Sequence, residues 1–291
     1  MSAQWSLLSQ GQGSPTVLRI LLGTQLRTLR TARGITREDA GYAIRASHAK
    51  ISRLELGQVS FKHRDVADLL TLYGVTDDKD RAPLLELAKQ ANLPGWWHKY
   101  ADLLPAWFEV YIGLEGAASI IRTYENQFVP GLLQTPEYAR SVIRLAHDSV
   151  APGELDRRVG LRMRRQQRVL DGALKIWAVI DEAVLRRTIG GPGIMDAQIE
   201  RLLELTAMPN VTLQVVPFDR GGHAAAGGPF SLLRFPETEL PDVVYMEQLT
   251  SALYLDKPAE SEQYLQVMDR LSVQADLPEE SRSFLERFRR V

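Results

Sequence analysis

Two helix-start signals, at Thr36 and Ser47, mark the segment that most constrains how this chain can fold. Thr36 is followed three residues later by Asp39, which makes a shortened capping box, and Ser47 is a second N-cap residue. Gly57 stops the second helix. Two helices joined by so short a turn must cross closely, and Gly41 supplies the small residue that such a crossing needs. The segment therefore predicts a helix-turn-helix.

The second of these helices is predicted to have two different faces. Ile51 and Leu54 are spaced i, i+3 and should anchor the helix inward. The opposite face carries His48, Ala49, Ser52 and Arg53, with Lys50 at its edge. Short, polar and basic side chains of this kind suit DNA base edges and phosphates. We expect Arg53 to make the bidentate contact with guanine that arginine favours, whereas His48 suits a base or a phosphate equally.

The charge of the chain is unevenly distributed, although its formal net value is only −1. Residues 16–75 hold ten Lys/Arg and five Asp/Glu, a net charge of +5, so the remainder carries −6. A basic N-terminal segment followed by an acidic remainder indicates that a polyanion binds at one end of the chain only.

Residues 34–57, with Gly-Ile-Thr at their start and Ser-x-x-x-Ile-Ser-Arg-Leu-Glu-x-Gly at their end, resemble the lambda-repressor-like helix-turn-helix domains of the XRE family. The resemblance implies that the first residues of the second helix meet bases and that flanking residues meet the DNA backbone. The predicted DNA-binding set is Arg37, Ser47, His48, Ala49, Lys50, Ser52, Arg53, Lys62 and His63.

The same resemblance assigns other charged residues to the scaffold. Arg30 and Glu55 match positions that usually pair inside the fold. Arg45 occupies a turn position where the family usually has glycine. A left-handed backbone there costs a residue with a side chain about 1–2 kcal/mol.

The sequence predicts a mainly α fold in four parts. Residues 1–14, rich in Gly, Ser and Gln, form a flexible arm, and residues 15–91 form a five-helix, lambda-repressor-like domain. Residues 92–112 form an aromatic junction with three of the five tryptophans. Residues 113–291 form an α+β domain with a small mixed or antiparallel sheet. Its first element, residues 115–124, is predicted to be a helix.

Four stretches of the predicted α+β domain resemble the C-terminal domain of actinobacterial XRE-type regulators, which is described as antitoxin-like. They are residues 129–140, 180–187, 209–218 and 243–247. The resemblance implies that this domain binds a small partner protein. The alternative is a small-molecule sensor, with residues 96–107 and the glycine-rich loop 221–228 lining a ligand pocket. The aromatic junction can also be explained by packing between domains alone, without a ligand.

Catalysis has weak support in the sequence. Asp181 and Glu182 end a predicted strand, His223 lies in the glycine-rich loop, and Glu247 ends another strand. No second histidine stands at metal-ligand spacing, and the loop lacks the Lys, Ser or Thr of a phosphate cradle. The absence of cysteine excludes thiolate zinc sites and cysteine nucleophiles. We expect no enzyme, no metal and no cofactor.

The expected setting is a cytoplasmic protein associated with the nucleoid through double-stranded DNA. The start of the chain lacks the features of a signal peptide, and no apolar stretch approaches the ~18 residues of a membrane span. One module reads few base pairs, so we expect a homodimer on a palindromic operator, with half-sites ~34 Å apart.

Overall fold

A computed structural model of the protein describes residues 15–146, 151–237 and 240–289. The predicted flexible arm, residues 1–14, lies outside the described residues. The described chain divides into two units. The helical unit holds residues 15–99 and 108–117, with residues 237 and 240. The sheet unit holds residues 100–107, 118–146, 151–236 and 241–289.

The helical unit contains the five predicted helices and most of a sixth helix, which begins in the predicted junction. They are α1 (Pro15–Ala32), α2 (Arg37–Ala43), α3 (His48–Glu55), α4 (His63–Leu72), α5 (Asp78–Ala91) and α6 (Ala106–Glu115). Both predicted N-caps are confirmed. The Thr36 hydroxyl accepts the Asp39 N–H at 3.1 Å, and the Ser47 hydroxyl accepts the Lys50 N–H at 3.2 Å. These bonds satisfy donors that a helix start leaves unpaired.

Two glycines allow the close packing around α3. A Cβ built at Gly41 would lie 2.6 Å from the carbonyl oxygen of Ala46, in the turn between α2 and α3. A Cβ at Gly23, in the middle of α1, would lie 2.5 Å from the carbonyl oxygen of Leu54. The requirement for a small residue at Gly41 is therefore confirmed, and Gly23 is a second such position that the sequence argument missed.

Arg45 adopts the left-handed backbone expected at its turn position, with φ of 54°. Of the residues described, it is the only one other than glycine with positive φ. Its exposed side chain is followed by Ala46 and then by the N-cap of α3. The turn that sets the angle of the helix-turn-helix is thus built on a strained residue.

We expect Arg45→Gly to stabilise the helical unit by about 0.5–1 kcal/mol. Glycine relieves the ~1–2 kcal/mol of left-handed strain but loses part of the gain to the entropy of the unfolded chain. Arg45→Ala is the matched control, because it removes the charge and keeps the Cβ. Thermal unfolding of both full-length variants checks this. An equal gain in Arg45→Ala would show that charge, not backbone strain, is responsible.

The expected helix over residues 115–124 is wrong. The helix α6 ends at Glu115, and Ile120–Glu125 forms strand β1. This segment pairs with two other strands, one parallel and one antiparallel. Its β-branched residues Ile120, Ile121 and Thr123 suit a pleated surface, and pairing with distant segments decided the structure.

The sheet unit is built on a six-stranded mixed sheet, which confirms the predicted α+β class. The strands are β1 (Ile120–Glu125), β2 (Lys175–Asp181), β3 (Val211–Val216), β4 (Phe230–Arg234), β5 (Val243–Glu247) and β6 (Ala252–Leu255). Their order is β3-β2-β1-β4-β5-β6. The first three are parallel, β4 is antiparallel to β1, and β4, β5 and β6 form an antiparallel meander.

Helices connect and cover these strands. They are α7 (Pro136–Ala146), α8 (Pro152–Leu170), α9 (Glu182–Arg186), α10 (Pro192–Leu205), α11 (Pro258–Gln274) and α12 (Pro278–Phe288). Met268 and Leu271 of α11 are fully buried in a cluster with Tyr124, Val179 and Val244 from the sheet.

The edge strand β3 is capped where α12 begins. The Asp276 N–H donates to the Val215 carbonyl, and the Val215 N–H donates to the Ser281 hydroxyl, both at 2.9 Å. These bonds satisfy edge groups that could otherwise pair with another chain.

Candidate nucleic-acid interface

Helix α3 is held by its inner face and exposes the face predicted to read DNA. Ile51 and Leu54 are 1 % and 2 % exposed, which confirms the predicted anchors. The predicted contact residues Ser47, His48, Ala49 and Arg53 are exposed, and Ser52 is half-buried. A fixed helix with a short, polar outer face meets the geometric requirement for insertion into a major groove.

The predicted pairing of Arg30 and Glu55 is confirmed. Arg30 Nε lies 2.5 Å from Glu55 Oε1, and Arg30 Nη2 lies 3.2 Å from Glu55 Oε2. Donation of these hydrogen bonds to the Glu55 carboxylate is the main cause that raises the pKa of Arg30 above its ordinary value. Both side chains belong to the scaffold, joining α1 to the end of α3.

Glu55 also holds Arg37, which the sequence assigned to DNA. Arg37 Nε donates to Glu55 Oε2 at 3.1 Å, and the Arg37 side chain is 37 % exposed. Arg37 is the first residue of α2, and one edge of its guanidinium is thus fixed by the buried carboxylate of Glu55. This contact orients the arginine and is compatible with the predicted role, since its Nη groups are further donors.

Lys50 lies against the next helix. Its Nζ is 2.7 Å from Asp65 Oδ2, with the lysine side chain 32 % and the aspartate side chain 14 % exposed. The predicted contacts Lys62 and His63 are exposed at the start of α4, where Lys62 is the N-cap residue. The pair therefore brings the first turn of α4, with its cationic start, beside α3.

Asp65 and the Arg37–Glu55 contact are features of this surface that sequence reasoning missed. Asp65 occurs in the first turn of a predicted helix, which explains an acidic residue there without any partner. Its partner Lys50 is fifteen residues away along the chain. Helical periodicity does not predict a contact between residues in two different helices.

Two parts of the chain match known protein families. Residues 21–84 match a helix-turn-helix domain family. Residues 108–287, more than half of the chain, match a family described as a domain of unknown function, DUF5753. The chain belongs to the DUF5753 family. No curated protein and no solved structure matches it.

Within the DUF5753 domain, His223 is engaged by its neighbours on both ring nitrogens. The Ala225 N–H donates to Nδ1 at 3.2 Å, so Nε2 carries the hydrogen, 2.9 Å from the Tyr124 hydroxyl. Asp181 Oδ2 lies 3.8 Å from the same nitrogen, while its Oδ1 caps the short helix α9 through the Ala183 N–H. The structure brings Asp181 and His223 together at the carboxyl ends of the parallel strands.

Both carboxylate oxygens of Glu182 likewise accept hydrogen bonds. Its Oε2 accepts the Phe218 N–H at 2.7 Å, and its Oε1 accepts Arg186 Nε at 2.5 Å. Together with His223, it ties the segment between β3 and β4 to the sheet edge. Each polar atom of these two side chains therefore has a structural use.

The fourth residue considered for catalysis, Glu247, makes a different contact. It accepts a hydrogen bond from the Tyr245 hydroxyl at 2.8 Å and is exposed at the end of β5. Its charge acts on Glu125, the last residue of β1. Burial is the larger cause that raises the pKa of Glu125 to about 8, repulsion by Glu247 adds to it, and Arg162 opposes it.

The described residues contain neither a candidate membrane span nor a candidate metal site. None of the helices there is long and apolar enough to cross a membrane. In the same part of the chain, no group of three or more His, Cys, Asp or Glu side chains is arranged to hold a metal ion.

Proposed function

We propose that this protein is a sequence-specific, DNA-binding transcription regulator whose helix α3 reads the major groove. The observation that carries the proposal is the contrast between the two faces of α3. Ile51 and Leu54 are buried, whereas His48, Ala49 and Arg53 project into solvent. The match to a helix-turn-helix family over residues 21–84 supports the same function.

We also propose that the regulator acts as a homodimer on a palindromic operator. A single reading helix contacts too few base pairs for specific recognition in a genome, and two copies ~34 Å apart would double the site. Selection of sites from random duplexes with the full-length protein tests this. A symmetric site bound by two copies is expected, and an asymmetric site bound by one copy would refute it.

The DUF5753 domain is proposed to receive the signal by binding a small partner protein. Support comes from the resemblance of four stretches of this domain to antitoxin-like regulators. Co-purification of a small protein that changes operator affinity would support this role. Operator affinity that stays constant in the presence of every co-purified protein would contradict it.

Arg53→Ala is expected to remove most of the preference for the operator. Loss of a bidentate arginine–guanine contact costs roughly 1–3 kcal/mol of discrimination, about five- to 150-fold in relative affinity. Because Arg53 is exposed, the fold should be retained. The measurement is binding to the selected site and to a scrambled duplex at one salt concentration.

Arg33→Ala is the matched control, because Arg33 is exposed but lies outside the predicted DNA-binding set. It should leave the ratio of operator to scrambled affinity unchanged. Operator affinity equal to that of the unmodified protein in Arg53→Ala would show that the exposed face of α3 is not the reading surface.

A further inference from the structure

The two cations of α3 differ in their surroundings. Arg53 is exposed, whereas Lys50 Nζ is held 2.7 Å from Asp65 Oδ2. The Asp65 side chain is only 14 % exposed. An ion pair with one largely buried partner is screened less by solvent than a pair on the open surface. Lys50 therefore differs from a freely moving surface lysine.

The position of Asp65 in its helix suits a carboxylate. It lies in the first turn of α4, a ten-residue helix, where the unpaired backbone N–H groups favour a negative charge. The adjacent side chains in that turn, His63 and Arg64, are exposed, and Arg64 lies 3.7 Å from Asp68. Asp65 thus provides a fixed anion between the reading helix and the start of the next helix.

An anion at this place has a specific consequence for DNA binding. Binding to DNA of any sequence draws its free energy from cations that neutralise phosphates and release counterions. A lysine has a long, flexible stem and can reach a phosphate in many registers. On operator DNA the register is set by base contacts, so an additional mobile cation adds less there.

We propose that Asp65 is a specificity-determining positioning residue, which pairs with Lys50 and so withholds one cation from the backbone of non-operator DNA. The proposal rests on the proposed function of α3 as the reading helix. It changes the predicted role of Lys50 from a DNA contact to a restrained cation at the edge of the reading surface.

Asp65→Asn should release Lys50. Affinity of the full-length protein for a scrambled duplex should rise roughly five- to tenfold at 0.1 M salt, and its logarithmic salt slope should steepen by about 0.9. Operator affinity should rise less, so the ratio of operator to scrambled affinity falls. A merely structural role for Asp65 would lower the melting temperature without steepening the salt slope.

Asp68→Asn is the matched control for charge. It makes the same substitution in the same helix, but the pair with Arg64 is loose and both side chains are exposed. Its salt slope should change by much less than that of Asp65→Asn. Equal changes in the two variants would mean that net charge alone acts, and would overturn the proposal.

The Lys50→Gln background tests whether Asp65 acts through Lys50. There, Asp65→Asn should leave the salt slope and the affinity ratio unchanged, because no cation remains to be released. A persistent effect would overturn the proposal, as would an unchanged ratio in Asp65→Asn alone. If the unmodified protein itself does not prefer any selected site to scrambled DNA, the proposed function fails, which is a distinct outcome.

Discussion

Replacing Glu55 with alanine will destabilise the helix-turn-helix domain by about 3–5 kcal/mol, the usual cost of removing one partner of a buried ion pair. Glu55 is 3 % exposed and accepts hydrogen bonds from both Arg30 and Arg37. Arg30 is itself only 7 % exposed, and without Glu55 its charge loses the hydrogen bonds to that carboxylate, while Nη1 still donates to the Ile35 carbonyl at 2.6 Å. An arginine cannot escape this penalty by losing its proton.

Amide hydrogen exchange in the full-length protein measures this loss, because it reports the opening of α1 and α3 separately from the DUF5753 domain. Glu86→Ala is the control, since Glu86 is exposed on α5 and such changes are usually within about ±0.5 kcal/mol. Arg30→Met combined with Glu55→Leu should recover most of the stability, because apolar replacements of a buried pair are often neutral. Unaltered protection in Glu55→Ala would contradict the scaffold role.

The helix-turn-helix could be predicted closely because its signals are local. Thr36, Ser47 and Gly57 mark helix ends within a few residues of sequence, and the structure places caps or stops at each of them. The pairing of Arg30 with Glu55 came from family resemblance rather than from spacing. That resemblance also gave the left-handed conformation of Arg45.

What could not be predicted depends on contacts between distant segments. The Arg37–Glu55 and Lys50–Asp65 contacts arise from the angles at which short helices cross, which spacing does not encode. The helix predicted over residues 115–124 is wrong because the partners of β1, the strands β2 and β4, are remote in sequence. The strand order β3-β2-β1-β4-β5-β6 likewise depends on pairing between segments that are remote in sequence.

The second large effect concerns the pH dependence of the sheet unit. Glu125 ends the central strand β1, and its pKa is raised to about 8, first by burial and then by Glu247. An unfolded glutamate has a pKa of about 4.3, so between pH ~4.3 and ~8 the folded protein binds more protons than the unfolded chain. Stability therefore falls as pH rises through this window, and the full penalty is present above pH ~8.

Glu125→Gln removes this penalty, since glutamine never ionises. The variant should match the unmodified protein near pH 4 and exceed its stability progressively toward pH 9. Each pKa unit corresponds to about 1.4 kcal/mol, so the gain at pH 9 is on the order of a few kcal/mol. Calorimetric melting of both full-length proteins at several pH values measures the difference.

Two further variants distinguish this cause from a general effect of losing a charge. Glu247→Gln removes the repulsion that acts on Glu125, so the upper end of the pH window in which stability falls should move to lower pH. Glu137→Gln, an exposed carboxyl on α7, should change stability by no more than about 0.5 kcal/mol. A Glu125→Gln difference that is the same at pH 5 and pH 9 would show that Glu125 is ionised across the whole range. The pKa of Glu125 would then not be raised in the folded protein, against the balance of burial and charge at the end of β1.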